Sequence, residues 1–336
     1  MKIYKRLPAL ILCFLMVSVL LPLQAYAAGK IDLEHEVGLR ISYQDDNKPL
    51  SGAEFRIYLV ATVDEYGELT VTEDFVQFNV QIKGRDDDAW RALASTLEGY
   101  VLRDNISPTD RGTTNGKGVV SFPTAGKKLE MGLYLVLGQR HTQNGYRYDP
   151  APFMVMLPGL DQENNDWIYD VAVNAKYDSS IIPDDPDDAT ISRKVLKVWE
   201  DDGYEKARPK EVIIQLLRDG KVYDTVTLNA ANNWRYTWTK LSDRYTWTVV
   251  EKELEGYTVE VTREGSTFVV TNTHEETIPD DPTPSTPSTP DTPVSPGKPA
   301  LPQTGQLWWP VPVLIAVGLL FVVLGLIRRR RLTDEN

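Results

Sequence analysis

The sequence predicts an all-β protein of two β-sandwich domains, the first with an inserted α-helix, followed by a polyproline stalk and a C-terminal membrane segment. Two observations predict the sandwiches: short apolar runs alternate with polar residues, and Gly, Pro, Asn or Asp bounds most of these runs. A third observation separates the sandwiches. Residues 178–189 are rich in Asp and Pro, which do not build a core, so we expect an interdomain linker there.

The chain begins with the pattern of a secretory signal peptide at residues 1–27. A basic start is followed by an apolar run, and Ala25-Tyr26-Ala27 has the small-x-small pattern of a signal peptidase site. We expect cleavage after Ala27. The single cysteine of the chain, Cys13, would leave with this segment, so no disulfide would staple the mature domains.

The first region, residues 28–177, contains short strand-like runs and one helical segment. Leu39 and Ile41 alternate with polar neighbours, as in a half-buried strand. The segment after Asp86 differs, because its large apolar residues recur at helical spacing behind aspartates that suit a helix N-terminus. We expect an amphipathic helix over about 87–103, with its apolar stripe packed on the first sandwich.

Two stretches of this region resemble Gram-positive pilins. Residues 48–55 resemble the start of a SpaA-type pilin domain, and residues 167–176 resemble the pilin motif of shaft pilins, with the Trp, both Val and the final Lys176 in place. In those proteins the lysine is the amine that joins one subunit to the next, so the resemblance implies Lys176 as the intermolecular acceptor. Asn174-Ala175 replaces the Tyr-Pro of the motif, and this departure argues against a shaft role. The alternative for Lys176 is a solvated lysine at a strand end, and two other lysines stay open as acceptors: Lys127 and Lys128.

The aspartates of the expected linker are possible calcium ligands. Carboxylates bind calcium, but the glycine-turned spacing of an EF-type loop is absent from residues 178–189. We therefore expect a solvated linker, no metal and no cofactor.

The second region, residues 190–274, contains seven short strand-like runs, and Asp219-Gly220 between two of them is a strong hairpin signal. Seven short strands in a region of this length are typical of an immunoglobulin-like sandwich. The region resembles a Cna B-type domain along its whole length. The resemblance is carried by several matching stretches, among them Lys197-Val198-Trp199, Arg208-Pro209, Tyr245–Glu251 and Phe268–Thr273.

The Cna B-type resemblance implies an internal cross-link. In that family a lysine of the first strand forms an isopeptide bond with an asparagine of the last strand, assisted by a carboxylic acid; the matching residues are Lys197, Asn272 and Glu251. Strand alternation places Lys197 on the core side with Val195, where burial favours a neutral, nucleophilic amine. The alternative is a buried Lys–Glu ion pair capped by Asn272. Lys194 is the competing lysine, but it falls on the opposite face of the strand.

Residues 275–300 form a proline-rich stretch in which proline recurs every third residue from Pro284. A polyproline II helix has three residues per turn, so these prolines line one side of a stiff rod. We expect a stalk, and the alternative is a docking face for a partner protein.

The chain ends on a three-part pattern: Leu301-Pro302-Gln303-Thr304-Gly305, an apolar segment at 306–327 and a basic tail at 328–336. A run of about 20 apolar residues crosses a bilayer as a helix, and the arginines after it hold that end in the cytoplasm. The three parts resemble the LPxTG sorting signal read by sortases. The resemblance implies cleavage after Thr304, transient membrane insertion, and covalent attachment to peptidoglycan or to a lysine of another protein. The alternative is an ordinary membrane anchor.

Charge and motif content narrow the function class. The chain has 36 basic and 48 acidic residues, a net charge of −12 that argues against a nucleic-acid partner. Motifs of hydrolases, zinc proteases and phosphate-binding loops are absent, so we expect no enzyme. The interpretation is a secreted, peptidoglycan-anchored pilin subunit, most like a minor basal pilin, with sortase, peptidoglycan and other pilin subunits as partners. The alternatives are a shaft pilin and a solitary adhesin that binds a host or matrix ligand.

Overall fold

The computed structural model describes residues 29–82, 86–161, 163–183, 189–206 and 208–274. The expected signal peptide, proline-rich stalk, sorting motif, membrane segment and basic tail lie outside these residues. Among the residues described, no helix has the length and apolar character needed to cross a bilayer. The all-β prediction is confirmed: strands dominate both folded regions, and the inserted helix is α1 (Asp87–Asp104).

The first domain consists of short strands, with α1 inserted in the chain between β5 and β6. Its five-stranded sheet has the order β11-β8-β4-β5, with β6 on the edge of β4, and a second sheet has the order β14-β1-β7 with β1 and β14 parallel. The strands are β1 (Gly38–Ser42), β2 (Gln44–Asp45), β3 (Lys48–Pro49), β4 (Glu54–Val63), β5 (Leu69–Val71), β6 (Asp110–Thr113), β7 (Val119–Phe122), β8 (Gly132–Gly138), β9 (His141–Gln143), β10 (Tyr146–Pro150), β11 (Phe153–Leu157), β12 (Gly159–Asp161), β13 (Asp166–Ile168), β14 (Asp170–Asn174) and β15 (Tyr177–Ile181).

The second domain is a two-sheet sandwich, as the immunoglobulin-like pattern predicts. One sheet has the order β19-β16-β22-β21 and the other β18-β17-β20. The first strand β16 and the last strand β22 are parallel neighbours. The strands are β16 (Thr190–Glu200), β17 (Glu211–Arg218), β18 (Lys221–Asn229), β19 (Arg235–Ser242), β20 (Trp247–Glu251), β21 (Tyr257–Glu264) and β22 (Thr267–His274).

Helix α1 is capped as its sequence predicts. The side chain of Asp86 accepts a hydrogen bond from the backbone N–H of Ala89, and Asp87 and Asp88 lie in the first turn, where negative charge suits the helix dipole. The helix ends at Asn105, whose left-handed conformation lets its N–H donate to Val101 O.

The position of α1 extends one expectation. We expected its apolar stripe to pack on the first sandwich, and the helix does so, but it also packs against the second domain. Leu93, Leu97 and Tyr100 are fully buried in one core that also contains Tyr58 of β4 and Val249 of β20. The stripe is wide enough to serve both domains, and the sequence pattern alone does not say which partners cover it.

Gly99 allows this close approach. A Cβ atom at Gly99 would lie 2.7 Å from Val250 Cγ2 and 3.0 Å from the backbone oxygen of Val249. One turn earlier, the buried Thr96 hydroxyl accepts a hydrogen bond of 2.8 Å from the N–H of Val261. The backbones of helix and second domain therefore meet directly, without an intervening layer of side chains.

A polar contact also joins the domains. Arg140 Nη1 donates to Arg244 O at 2.8 Å, and Arg147 Nη1 donates to Asp243 O at 2.9 Å. Arg147 is buried, so its charge is removed from water and depends on these acceptors. The two domains thus share an apolar core and a buried polar contact.

The expected linker is shorter than its composition indicates. Strand β15 covers residues 177–181 and pairs with β10 of the first sandwich, so the first part of the 178–189 stretch belongs to that sandwich. Ile182 N–H extends this pairing by donating to Gly145 O at 3.0 Å. Residues 184–188 lie outside the described part of the chain.

The carboxyl of Glu98 leads us to expect that the stability of the folded chain depends on pH. Glu98 is half-buried on α1 beside Gly99, and removal from water raises its pKa to about 7, with Arg263 of the second domain opposing the shift. Such a group binds its proton more tightly in the folded chain, so its stabilising effect is full below the unfolded pKa of about 4.3 and is lost as pH rises through the folded value.

We therefore expect Glu98→Gln to match the wild type in thermal unfolding at pH 4 and to exceed it at pH 8. The expected gain at pH 8 is about 1–2 kcal/mol, reduced from the full shift because solvent reaches the half-buried carboxyl. Glu34→Gln, at an exposed position, is the control, and its stability should equal that of the wild type at both pH values. An equal gain at both pH values would show that repacking, not titration, causes the effect.

Candidate functional site

Three strands of the second domain direct polar side chains into its core. Along β16 the buried residues Val195 and Lys197 share a face, and along β22 Asn272 shares the inward face with Val270. Parallel pairing opposes Lys197 to Val270, so the two strands carry both polar side chains to the same end of the sandwich. Every residue of β20 is buried, and its last residue, Glu251, enters from the opposite sheet.

The structure brings these three side chains together in a dry site. Lys197 is 4% exposed, Glu251 2% and Asn272 0%. Lys197 Nζ lies 3.9 Å from Glu251 Oε2, and Asn272 Nδ2 donates to Glu251 Oε1 at 2.5 Å. The lysine amine also donates to two backbone oxygens, Val198 O at 2.7 Å and Val270 O at 3.2 Å.

Two oxygen atoms of the cluster have no hydrogen-bond partner among the described residues: Glu251 Oε2 and Asn272 Oδ1. Buried polar atoms without partners are costly, so native cores contain few of them and they concentrate where chemistry is done. Turning the Asn272 amide over would let its oxygen accept a hydrogen bond from a protonated Glu251, which would polarise the amide carbonyl.

Burial moves both titratable groups towards their neutral forms. It lowers the pKa of Lys197, against the opposing pull of the Glu251 and Asp201 charges. It raises the pKa of Glu251, and the lysine charge and the Asn272 hydrogen bond only partly offset this. A neutral amine is a nucleophile and a neutral carboxyl is a proton donor, so the site holds the reactants for attack on an amide.

An aromatic wall closes one side of the site. Lys197 Nζ lies 4.2 Å from the ring centre of Trp199, which in turn has edge contacts to Trp234 and Tyr257 at 5.3 Å each. The indole shields the amine from water and offers its π face to any residual positive charge.

Behind this wall lies an ion pair whose role the sequence analysis did not identify. Asp201 is 2% exposed, and its carboxylate accepts a two-pronged hydrogen bond from Arg208, with Nε to Oδ2 at 2.6 Å. Tyr257 Oη donates to Asp201 Oδ2 at 3.4 Å. Arg208 lies in one of the stretches that carry the Cna B-type resemblance, but the sequence did not indicate that it meets Asp201 next to Lys197.

The competing lysine of β16 lies on the other face. Lys194 is exposed, whereas Lys197 is buried, as strand alternation predicts. The structure therefore leaves Lys197 as the lysine of β16 that faces Glu251.

The candidate acceptor Lys176 lies at the surface of the first domain. It follows β14, and its backbone is held on both sides: Ala175 N–H donates to Ser42 O and Lys176 O accepts from Ala151 N–H, both at 2.9 Å. The side chain is exposed. The residues of the resembling motif that precede it are half-buried against the first core: Trp167, Val171 and Val173.

The two other lysines considered as acceptors form ion pairs. Lys127 Nζ lies 2.7 Å from the buried carboxylate of Asp110, and Lys128 Nζ lies 2.9 Å from Glu36. The pKa of Asp110 is lowered by hydrogen bonds from Lys127 and from Thr124, which outweigh its burial. That carboxylate stays ionised, so Lys127 is held in a structural ion pair.

The acidic turn at residues 161–165 is held by its own hydrogen bonds. Asp161 accepts from the N–H groups of Glu163 and Asn164 and from Asn164 Nδ2 at 2.7 Å. Within the described ranges, no cluster of three or more His, Cys, Asp or Glu residues has the arrangement of a metal site.

Comparisons with known proteins cover both domains. Residues 24–176 match the family model "Gram-positive pilin subunit D1, N-terminal domain", and residues 193–273 match "Cna protein B-type domain". The collagen adhesin of Staphylococcus aureus is 33% identical over 181 residues, which is 45% of this chain. The chain spans 14% of the length of that relative.

Solved structures of related surface proteins also match. The major pilin SpaD of Corynebacterium diphtheriae is 15% identical, with 73% of this chain and 65% of that chain covered and a TM-score of 0.28. The basal pilin SpaE of Lactobacillus rhamnosus GG is 9% identical, with 68% and 84% covered and a TM-score of 0.28. A single B repeat of the Staphylococcus aureus collagen-binding protein is 17% identical, with 71% and 98% covered and a TM-score of 0.24.

Proposed function

We propose, since the chain carries a Gram-positive pilin D1 domain followed by a Cna B-type domain, that it is a structural subunit of a surface pilus, attached to the cell wall by sortase. The observation that carries the proposal is the D1 domain whose last matched residue, Lys176, presents an exposed amine. An amine that resolves an acyl-enzyme must be reachable from solvent, and Lys176 meets that condition.

The basal position in the pilus is the finer part of the proposal. Two features support it: the chain has two compact domains before its proline-rich stretch, and Asn174-Ala175 departs from the shaft-pilin motif. In this arrangement Lys176 accepts the last shaft subunit, while Thr304 is joined to peptidoglycan. The expected partners are therefore sortase, peptidoglycan and another pilin subunit.

The Cna B-type domain would form its own cross-link. Lys197 Nζ attacks Asn272 Cγ, the new Nζ–Cγ bond forms, the Cγ–Nδ2 bond breaks, and the nitrogen leaves as ammonia with a proton relayed by Glu251. The 3.9 Å and 2.5 Å contacts of Glu251 support this role, because one carboxyl reaches both the amine and the amide. Holding both reactants in contact supplies the effective concentration that an unreactive amide needs. The reaction occurs once per chain and is not a turnover activity.

A solitary adhesin is the second candidate. The matched collagen adhesin of Staphylococcus aureus favours it, because the similarity reaches 33% identity. In that case the two domains would present a ligand-binding surface to a host or matrix molecule, and no lysine of the chain would be joined to another subunit.

One experiment separates the two candidates. We expect an immunoblot of enzymatically released cell wall to show this protein in a ladder of boiling-resistant, high-mass species, because isopeptide links between subunits survive denaturation. Lys176→Ala should reduce the protein to monomer-sized species with wall fragments attached. Lys128→Ala, also at an exposed lysine, is the matched control and should keep the ladder.

A ladder that survives Lys176→Ala and disappears in Lys128→Ala would move the acceptor to Lys128. A single monomer-sized band in the wild type would contradict a pilin role and make the adhesin the leading function.

A further inference from the structure

The loop that follows β16 contributes an ion pair, Asp201 with Arg208, next to the site of the Lys197 amine. Asp201 is the first residue after the end of β16, four residues beyond Lys197, and its buried carboxylate is paired with Arg208 across the same loop. Arg208 Cζ lies 5.6 Å from the Trp199 ring centre and Lys197 Nζ 4.2 Å from it, so both side chains contact one indole. Arg208 is about one-third exposed, whereas Asp201 has no exposed side-chain surface.

We propose that Arg208 is a positioning residue for cross-link formation: it neutralises the buried Asp201 carboxylate, so that Lys197 is not held beside it as an ammonium ion. This inference rests on the proposed isopeptide chemistry of Lys197, Glu251 and Asn272, and it adds a regulating pair to that site.

The charges around the amine explain why the pairing matters. Three groups act on Lys197: Glu251 from β20, and Asp201 and Arg208 from the loop after β16. The Asp201 charge favours the ammonium form of the lysine and the Arg208 charge opposes it. Two more titratable groups face Asp201, one each from β21 and β22: Tyr257 and His274.

The ammonium form cannot react. Attack on Asn272 Cγ needs the lone pair of Lys197 Nζ, and protonation removes that lone pair. Without Arg208, the Asp201 charge that favours the ammonium form would act on Lys197 with no cation of the loop opposing it. Each unit by which the pKa of Lys197 rises lowers the neutral fraction about tenfold at a pH below that pKa. The cross-link would then form more slowly, and its rate would rise with pH over a higher range.

The test follows cross-link formation in the chain of residues 28–304 after pulse-labelled synthesis in a cell-free system. Samples taken during the chase at several pH values are stopped in denaturant and weighed by mass spectrometry, because the reaction removes one ammonia. We expect Arg208→Gln to slow the mass loss about tenfold at pH 7 and to shift the rate profile towards higher pH. Arg208→Lys, which keeps a cation, should stay close to the wild type.

The double variant Asp201→Asn with Arg208→Gln separates charge from structure. It lacks both members of the ion pair, so a structural role predicts a reaction at least as slow as in Arg208→Gln. Our proposal predicts the opposite: removal of the carboxylate restores the rate and the pH profile. Arg235→Gln, at an exposed arginine of β19, is the control and should react like the wild type.

The outcomes distinguish failure of the proposed role of Arg208 from failure of the proposed cross-link. If the wild type itself loses no ammonia, the proposed cross-link fails and the role of Arg208 falls with it. If the wild type reacts and Arg208→Gln reacts at the same rate with the same pH profile, the cross-link stands and the inference is overturned. Failure of the double variant to recover would also overturn it, in favour of a structural ion pair.

Discussion

Replacing Glu251 by glutamine is expected to leave the second domain without its cross-link. Glutamine has nearly the same shape but no titratable proton, so it cannot take a proton from Lys197 and pass it to the leaving ammonia. The intact mass of the variant should therefore equal the mass encoded by the sequence, whereas the wild type should be lighter by one ammonia. Lys197→Ala should give the same result, because the nucleophile is gone.

The loss should also appear in stability. The cross-link would join the first and last strands of the domain, and closing so long a loop stabilises by roughly 2–5 kcal/mol if it behaves like a disulfide. We expect chemical denaturation of Glu251→Gln to show a loss of this size. Glu264→Gln, at an exposed end of β21, is the matched control and should keep both the cross-link and the stability.

A wild type with its full encoded mass would contradict the cross-link. The buried site would then be an ion pair of Lys197 and Glu251 capped by Asn272, the alternative that the sequence left open. In that case Glu251→Gln should still destabilise the domain, because the buried lysine would lose its partner. The mass of the wild type therefore distinguishes the two interpretations, because both predict a loss of stability in Glu251→Gln.

Introducing a side chain at Gly99 is expected to uncouple the two domains. In Gly99→Val the new Cβ would start 2.7 Å from Val250 Cγ2 and 3.0 Å from Val249 O, and the backbone oxygen belongs to a buried strand that cannot move easily. Overpacking of this kind typically costs about 1–3 kcal/mol, and here the cost falls on the contact between α1 and β20. We expect calorimetry to show one unfolding transition for the wild type and two for Gly99→Val.

The control for this prediction is Arg91→Val, which adds the same side chain at an exposed position of α1. It should keep the single transition, because the Arg91 side chain is exposed and its ion pair is with Asp88 of the same helix. A single, unshifted transition in Gly99→Val would show that the interface yields to an added side chain and that the close approach of α1 to β20 does not couple the domains.

Much of the architecture could be predicted from local patterns. Alternating apolar residues indicated the strands, and the helical spacing after Asp86 indicated α1 within one residue of its observed end. Both could be predicted because burial of one face of a strand or helix requires apolar residues at the period of that element. Lys197 could be assigned to the core side of β16 for the same reason. Its grouping with Glu251 and Asn272 came instead from the Cna B-type resemblance.

The sequence by itself thus determined the all-β class, the inserted helix and the inward face of Lys197, since each depends on residues close together in the chain. Only the tertiary structure decided what covers α1, that Arg147 meets Asp243, and that Asp201 and Arg208 stand beside Lys197. These contacts join residues of different elements, and their strength depends on burial, which removes competing water. A periodic pattern shows that a face is buried, but the folded chain selects the partner that buries it.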